Sequence, residues 1–443
     1  MKKLFTLFFL IIISVFAARA EEPSMTIIEN GIFYGGFMPL DISGDGRLVC
    51  GSTYVGAVFI SDWQKQDTRT PGTSLENQTM VGGELRSITN SGLAVGFGMT
   101  VDFETEKIGR LRLADMSQNV KGGLVDAVTE DGRIFCGLAY IQDDPRYYAA
   151  YWEDEECHLL PTPTADETGW PIYGSRARFI SDDGNIIAGY MVDRLSTFPF
   201  IYWTRKDDGS YEMHPVFQDY FCDIRDNDKT YVRFCPYAMS PNGRWVVLLT
   251  KYSDPTGVFS TNSTIALYDI PTGKITPVPV DGNHNIPVDA FLQVWDHGVA
   301  NDGTIVGWFE HLKGRSPFIV YPDELQPRLL ADVFDTFGPL ADYEDIGDNA
   351  VSCITPDGRY IAGCAWTISR QYDIGFYEGY VIDTGRSAMD EGGSAEDSGV
   401  AAIAAEGEPA YFDIAGHRLA RPLEKGITIV RRPDGSSSKI FAK

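Results

Sequence analysis

Residues able to do chemistry are scattered along this 443-residue chain rather than grouped in a catalytic motif. There is no His-Glu-Xaa-Xaa-His, no Gly-Xaa-Ser-Xaa-Gly and no phosphate-binding loop. None of the six histidines is spaced from another as metal ligands on one element would be, and His284 and His297, which share one long predicted loop, are the best candidates among them. The sequence therefore predicts no particular reaction, and it favours binding over catalysis.

One acidic run could hold a metal ion. Asp223, Asp226 and Asp228 form an Asp-Xaa-Xaa-Asp-Xaa-Asp pattern in a polar stretch, and crowded carboxylate oxygens are ligands that Ca²⁺ accepts. The run lacks the glycine and the distal glutamate of an EF-hand loop, so a plain solvated loop is the alternative. We expect no other cofactor.

A second group of residues combines aromatic rings with carboxylates in the longest segments between predicted strands. Sugar rings offer apolar faces and hydroxyl edges, so exposed aromatics beside acids suit a glycan. The alternative is that Trp170 and Trp295 are core residues packed between repeats. The candidate ligand-binding residues are Trp170, Tyr173, His284, Trp295, Asp296, His297, Tyr343, Glu344 and Asp345.

The elements that must position these residues follow from a short phrase that occurs seven times, at intervals of 40 to 60 residues. Such periods are typical of propellers and solenoids. Most copies pair an apolar residue with Ser or Thr, followed by a polar turn that ends in Gly. They are Asp41–Gly46, Ser87–Gly92, Ala127–Gly132, Phe179–Gly184, Ala238–Gly243, Gly298–Gly303 and Cys353–Gly358.

Each phrase predicts a strand, a tight turn and a second strand, because Asp-Gly and Asn-Gly between apolar runs are strong hairpin signals. Third and fourth strands follow, as in Ile265–Tyr268 and Lys274–Pro277. Four strands per repeat predict an all-β, seven-bladed β-propeller. The last repeat has no clear fourth strand, so we expect residues 25–28 or 32–34 to complete it. Six blades are the alternative if the weak second repeat merges with a neighbour.

These phrases resemble the extracellular (HAF-like) repeats of bacterial secreted propellers, in which an Asp-Gly hairpin precedes Val-Val-Gly and a later Phe-Xaa-Trp. The resemblance covers about residues 31–383. It implies a propeller fold and no particular activity, because function depends on the site and not on the fold. Long segments that join strands 2 and 3, and successive blades, would gather at one end of such a ring.

The N-terminus is typical of a secretory signal peptide over residues 1–20. Lys2 and Lys3 precede the apolar run Leu4–Ala17, and Ala18-Arg19-Ala20 supplies small residues for cleavage. A transmembrane anchor is the alternative, but the run is shorter than the ~20 residues that a spanning helix needs. We expect no membrane span in the mature chain. The net charge of −25 also argues against a nucleic-acid partner.

Seven cysteines accompany this predicted export. Cys50 and Cys136 occupy nearly the same place in their repeats, where Ala188 and Ala362 stand in others, so we expect them in the core. Cys222 with Cys235, and Cys353 with Cys364, are close enough in sequence to pair in an oxidising compartment. Sequence alone does not decide either pairing.

The composition changes near residue 386. Residues 386–409 are rich in Glu, Asp, Ala, Gly and Ser, which predicts a disordered acidic linker. Residues 410–443 contain three short apolar runs and predict a small β-module. This tail resembles the C-terminal sorting domain of type IX secretion substrates, through Phe412–Arg418, Lys425–Val430 and Lys439–Lys443, although Thr428 stands where Tyr is usual. The resemblance implies contact with secretion machinery and export. A small module packing on the propeller is the alternative.

The sequence thus predicts four segments: a signal peptide (1–20), a propeller (21–385), a linker (386–409) and a sorting-like module (410–443). We expect an exported protein at the cell surface or outside the cell, with the periplasm as alternative. Its leading function is binding of a glycan or protein through the long-loop face. A carboxylate-based glycan hydrolase or lyase on that face, and a purely structural surface protein, are the other hypotheses.

Overall fold

A computed structural model describes most of the propeller and parts of the tail. The described residues are 23–28, 36–73, 80–111, 113–114, 119–154, 156–165, 171–192, 199–216, 231–253, 264–278, 291–311, 314–334, 349–369, 374–386, 410–412, 418–419, 426–431 and 437–442. Residues 1–20 and 387–409, on which the signal-peptide prediction and nearly all of the linker prediction fall, lie outside them.

The described residues between 23 and 385 form 28 strands and one short helix, α1 (Leu330–Val333). Most strands are rich in β-branched and aromatic residues, which favour a pleated, half-buried surface. In chain order they are β1 (Ser24–Ile27), β2 (Phe37–Ile42), β3 (Leu48–Thr53), β4 (Val58–Asp62), β5 (Asp67–Arg69), β6 (Ser87–Ile88), β7 (Leu93–Gly96), β8 (Met99–Asp102), β9 (Ile108–Arg110), β10 (Val120–Val128), β11 (Ile134–Ile141), β12 (Tyr147–Glu153), β13 (Glu156–Leu159), β14 (Gly174–Ile180), β15 (Ile186–Val192), β16 (Phe200–Arg205), β17 (Tyr211–Pro215), β18 (Tyr231–Met239), β19 (Trp245–Ser253), β20 (Thr264–Asp269), β21 (Lys274–Pro277), β22 (Phe291–Gln293), β23 (Ile305–His311), β24 (Gly314–Val320), β25 (Pro327–Leu329), β26 (Asn349–Ile354), β27 (Tyr360–Ser369) and β28 (Ile374–Asp383).

These strands form seven four-stranded antiparallel sheets, which confirms the predicted seven-bladed propeller. Blades 1 to 6 each take four consecutive strands, beginning with β2 to β5. Blade 7 joins β26, β27 and β28 to the N-terminal β1, with Ser24 opposite Asp383 and Ile27 opposite Tyr380. Of the two predicted closing segments, residues 25–28 overlap the closing strand β1, and residues 32–34 lie outside the described residues. The weak second repeat forms its own blade, whose third strand is β8.

The repeated phrase forms the turn between the first two strands of each blade. In blade 4, Ser181 Oγ donates to Asp183 Oδ1 (2.6 Å) and accepts the N–H of Ile186 (2.9 Å). Gly184 closes the turn at φ 71°, a left-handed conformation that glycine adopts without strain. The copies at Ser43, Thr129, Ser240 and Thr355 repeat the hydroxyl contacts. We call this end of the ring the turn end and the opposite end the loop end.

Neighbouring turns are joined by a belt of hydrogen bonds around the turn end. Almost every bond uses the fourth residue of a phrase or the one after it. Pro241 and Pro356 have no N–H and therefore only accept. The bonds run from Asp45 N to Asn90 Oδ1 (2.7 Å), Asn90 N to Glu130 Oε1 (2.9 Å), Glu130 N to Asp182 O (3.2 Å), Asp182 N to Pro241 O (2.8 Å), Asn242 N to Asn301 Oδ1 (2.8 Å) and Asn301 N to Pro356 O (2.9 Å).

The cysteines that the structure describes are buried. Cys50 and Cys136 are fully buried in the blades, as predicted for core residues, and burial raises the pKa of both thiols. Cys353 is a free thiol opposite Ala362, so the suggested Cys353–Cys364 disulfide is not formed. Cys222 lies outside the described residues.

The C-terminal residues belong to a second compact unit. Its strands β29 (Ala410–Phe412), β30 (Arg418–Leu419), β31 (Gly426–Arg431) and β32 (Ser437–Ala442) form one antiparallel sheet in the order β30-β29-β31-β32. The predicted small β-module is therefore present, with one strand more than the sequence indicated. Among the described residues, no helix is both long and apolar enough to cross a membrane.

The hairpin hydroxyls are expected to stabilise the propeller. Ser181→Ala would leave the partly buried Ile186 N–H and the Asp183 carboxylate without this partner, at a cost of about 1 kcal/mol, and would lower the urea midpoint. Ser210→Ala is the matched control, because Ser210 Oγ also contacts an Asp, Asp208, but in an exposed turn. Equal midpoints for the two variants would contradict this role of the phrase.

Candidate binding site

The structure brings three of the sequence-predicted site residues together. Trp295, Asp296 and His297 follow β22 directly and enter the centre of the ring. Tyr173 is 47% exposed beside the start of β14, in blade 4, and does not line the central cavity. The other candidates lie outside the described residues: Trp170, His284, Tyr343, Glu344 and Asp345, and the calcium candidates Asp223, Asp226 and Asp228.

A bulge in the inner strand of most blades selects which residue reaches the centre. In β14, for example, Ala177 pairs with Gly189 and Phe179 with Ala188, so Arg178 is the extra residue. Bulges turn a side chain out of the regular ladder and are frequent beside active sites. The residue directly before each phrase occupies this place: Leu40, Asp126, Arg178, Tyr237 and Ser352 at bulges, with Arg86 and His297 at the same place in the other two copies.

Asp126 is a buried carboxylate at the centre of the ring that pairs with two arginines. Its side chain is 1% exposed and accepts two bonds from the guanidinium of Arg176, one of them 2.6 Å from Nε to Oδ2. Burial opposes the charge of Arg176, but the hydrogen bonds and charge of Asp126 raise the Arg176 pKa above its usual range. Arg86 Nη1 lies 3.4 Å from the same carboxylate. A bidentate Arg–carboxylate pair of this kind fixes geometry as well as charge.

Arg86 pairs with Asp126 and also with two acids that line the loop-end cavity. Its guanidinium is 2.8 Å from Glu84 and 3.9 Å from Asp296. Asp296 also pairs with Arg178. Burial opposes the charge of Arg178, and Asp296 outweighs it and raises the Arg178 pKa. Arg178 Nε is buried without a hydrogen-bond partner among the described residues, which is rare in folded proteins and marks a place to look for function.

His297 connects three blades. Its Nε2 lies 2.8 Å from the carbonyl oxygen of Arg86 in blade 2, and its Nδ1 lies 3.4 Å from Asp41 Oδ1 in blade 1. Asp41 also accepts the N–H groups of Ile42 and Ile88, both at 2.8 Å. Burial raises the pKa of Asp41 to about 6, although His297 and these hydrogen bonds lower it. Both ring nitrogens of His297 therefore face protein groups. The residues that line the larger cavity are its neighbours Trp295 and Asp296 and residues of other blades.

A cavity of about 250 Å³ opens at the loop end. Trp295 stands at its edge, 39% exposed, so it is not a core residue buried between blades. The Trp295 ring lies edge-to-face against Trp308, with centroids 5.7 Å apart, which holds the indole in place. The cavity is lined by Leu40, Glu84, Arg86, Arg178, Trp295 and Asp296.

Phe97, which is not among the sequence-predicted site residues, packs on Arg86 of this cavity lining. It occupies a two-residue turn between β7 and β8 at φ 51°, followed by Gly98 at φ 87°. Turns of this type favour Asn-Gly, and a bulky residue in a left-handed conformation is strained. Phe97 is 40% exposed, and the Arg86 guanidinium lies 4.8 Å from its ring centroid. Strain of this kind persists where function requires the side chain. The sequence contained one signal for this residue: Phe stands before Gly at a hairpin turn, where Asn is usual.

Exposed apolar side chains gather at the loop end. Among the described residues, eight large hydrophobic side chains are exposed, and only Leu159 and Met213 lie on outer strands. Five of the other six stand in strand 2–3 turns or in connections between blades, namely Tyr54, Val55, Met80, Phe97 and Tyr173, and Trp295 follows the first strand of blade 6 at the cavity. Such a one-sided distribution is typical of an interaction surface.

The turn end has a much smaller opening, about 50 Å³, lined by residues of all seven blades. Desolvation raises the pKa of Asp182 there to about 7, and the charges of Glu130 and Asp41 add to this. Desolvation also raises the pKa of Glu130. Within the described part of the chain, no group of three or more His, Cys, Asp or Glu residues is arranged to hold a metal ion.

Comparison with known proteins yields distant structural similarity only. No family model matches the chain, and no curated protein matches it. It is similar to an oligogalacturonate lyase in complex with manganese (13% identity, 82% of this chain and 90% of that one, TM-score 0.45). It is also similar to the β-propeller domain of the Trilobed protease from Pyrococcus furiosus (11%, 77% and 94%, TM-score 0.41) and to the GH74 xyloglucanase from Xanthomonas campestris (12%, 80% and 55%, TM-score 0.40). TM-scores below 0.5 are too low to transfer an activity, a ligand or a metal to this chain.

Two adjacent acids should respond oppositely to substitution. Asp182 keeps its proton to about pH 7 in the folded state and ionises near pH 4 when unfolded, so its contribution to stability is lost as pH rises between these values. Asp182→Asn should therefore raise the melting temperature increasingly from pH 4 to pH 8.

Asp183→Asn is the matched control for this measurement. Burial opposes the ionised form of Asp183, but hydrogen bonds from Ser181 and Asn185 lower its pKa. Asp183 thus stabilises the fold above its unfolded pKa, and Asp183→Asn should lower the melting temperature most at pH 8. Parallel pH profiles for the two variants would show that the opening does not perturb Asp182.

Proposed function

We propose that this protein is an exported β-propeller that binds a glycan at the loop-end mouth of its central cavity. One observation supports this most strongly: the exposed ring of Trp295 lines a cavity whose walls carry both guanidinium and carboxylate groups, and the exposed ring of Phe97 packs on Arg86 of that lining. A concave site with aromatic edges and a few fixed polar groups is the usual form of a small-molecule site. Export to the cell surface, with the C-terminal module engaging secretion machinery, is part of the proposal.

The chemistry of the mouth suits a neutral sugar. The indole of Trp295 offers an apolar face for a sugar ring, and the Glu84 and Asp296 carboxylates and the Arg86 guanidinium can bond hydroxyl groups. Around the centre, three arginines face three acids through ion pairs. This balance differs from the chain as a whole, whose net charge is −25, and it leaves no surplus charge to select an anion or a cation.

Binding without hydrolysis fits the position of the acids better than a glycosidase does. A glycosidase needs one carboxyl group with a raised pKa to protonate the leaving oxygen, beside a second carboxylate. The carboxyl groups whose pKa is raised, Asp41, Glu130 and Asp182, line the small turn-end opening. Glu84 and Asp296, at the larger mouth, are both engaged by arginines.

A glycan array with the mature chain tests the proposal. Trp295→Ala should weaken binding by tenfold or more, since removing a ring that stacks on a ligand costs about 1.4 kcal/mol or more. Met213→Ser, which removes an exposed apolar side chain from the outer strand of blade 4, should bind as the parent does. Glycan binding that survives Trp295→Ala would place the site elsewhere, and an array without any bound glycan would contradict the proposal.

Phe97→Asn should separate ligand binding from folding. Asn tolerates the left-handed conformation better than Phe, so the melting temperature should stay equal or rise by a few degrees, while glycan affinity falls. Thermal melting and the same array measure the two effects. A variant that melts clearly lower and keeps its affinity would show that Phe97 serves the fold and not the ligand.

A further inference from the structure

Three aromatic side chains form a second cluster at the loop end, where blade 7 meets blade 1. The ring centroids of Tyr54 and Trp366 are 5.8 Å apart, those of Tyr54 and Tyr377 also 5.8 Å, and those of Trp366 and Tyr377 4.9 Å. Trp366 and Tyr377 lie in the loop-end halves of β27 and β28, and Tyr54 directly follows β3. The Tyr54 ring is 57% exposed, so the cluster offers an aromatic surface to solvent.

Backbone contacts hold Tyr54 against blade 7. The Tyr54 N–H donates to the carbonyl oxygen of Gly36 (3.1 Å), and Gly36 forms a parallel bridge with Tyr377. Gly36 has φ +94°, and a Cβ there would lie 1.7 Å from the Tyr377 carbonyl oxygen. Only glycine permits this approach. The two blades are thereby joined at the point where their aromatic rings meet.

A second glycine makes room for the indole of Trp366. A Cβ on Gly375, in the paired strand, would lie 2.2 Å from Trp366 Cζ2, so the indole rests directly on the backbone of β28. The ring is therefore held between that strand and the Tyr377 and Tyr54 rings. A rigid aromatic surface loses little conformational entropy when it binds a ligand.

The turn that carries Tyr54 does not need its tip side chains to close its backbone. The Gly56 N–H donates to Thr53 O (2.8 Å), and the Ala57 N–H donates to Thr53 Oγ1 (3.0 Å), so the turn is closed by its flanking residues. Its tip positions, Tyr54 and Val55, are 57% and 49% exposed. Such positions favour Gly, Pro, Asn, Asp and Ser. Two exposed apolar residues on a rigid tip indicate contact with a ligand.

We infer that Tyr54, Trp366 and Tyr377 form a second sugar-binding subsite, which takes further rings of a chain-like neutral oligosaccharide bound at the mouth. The inference rests on the proposed function. Blade 7 lies between blade 6, which carries Trp295, and blade 1, which carries Tyr54, and the His297–Cys353 bridge joins blades 6 and 7. Aromatic surfaces thus follow one another around three adjacent blades at the same end of the ring.

The test is the dependence of affinity on oligosaccharide length. The probes are cello-, xylo-, manno- and malto-oligosaccharides of two to six units, titrated calorimetrically into the mature chain. For the series that binds, we expect affinity to rise with length and Tyr54→Ser to remove that gain, about tenfold for the hexasaccharide, while disaccharide binding stays unchanged. Val55→Ser should show a smaller loss, and Met213→Ser none.

The outcomes separate this inference from the proposed function. Loss of all binding in Trp295→Ala, together with unchanged length dependence in Tyr54→Ser, would overturn the subsite alone. Loss in Tyr54→Ser with full binding in Trp295→Ala would overturn the mouth as the main site. No binding of any series by the parent chain would contradict both. Because Tyr54 is exposed at a turn tip, equal melting temperatures for parent and variant should exclude misfolding as the cause.

Discussion

Hydrogen bonds between neighbouring turns are the interaction on which the rest of the ring depends. Each blade alone is a small sheet with exposed edges and apolar faces, and only a neighbour on either side buries those faces. The belt from Asp45 to Pro356 fixes how adjacent turns meet. Inside six of the seven turns, a Ser or Thr hydroxyl accepts the N–H that opens the second strand, as Ser181 does for Ile186, and Ala300 stands at this place in the remaining turn. One phrase therefore stabilises its own hairpin and positions the next blade.

Because each phrase both stabilises its hairpin and positions the next blade, sequence variation is concentrated outside the phrase. Most copies of the phrase keep a hydroxyl, polar residues and a glycine, but the residue directly before the phrase takes no part in the hairpin contacts of the turn. That position holds Leu40, Arg86, Asp126, Arg178, Tyr237, His297 and Ser352. Its variety builds a charged interior in which Asp126 and Asp296 bind arginines from blades 2 and 4. The repeated phrases build the scaffold, and residues that differ from blade to blade build the site.

The same distinction sets how much could be predicted from sequence. Seven copies of the phrase were enough for the blade count, the hairpins and the closing strand, because these follow from local turn chemistry and from the need to close a ring. Trp295 and Asp296 were found as an aromatic beside an acid in a long segment. Arg86 and Arg178 were missed, because Asp126 lies 40 residues from Arg86, Asp296 lies 118 residues from Arg178, and no local pattern joins these pairs. Phe97 was missed because its left-handed backbone and its contact with Arg86 appear only in the structure, although Phe before Gly is unusual at a hairpin turn.

The proposed function depends on which ligand binds in the loop-end mouth. The most direct measurement is a crystal structure of the mature chain soaked with the oligosaccharide that binds most tightly. We expect a sugar ring on the exposed side of the Trp295 indole, with hydroxyl groups within hydrogen-bond distance of Glu84, Arg86 or Asp296. A sugar bound at the turn end or on the outer strands, or a mouth that stays empty under saturating ligand, would contradict it.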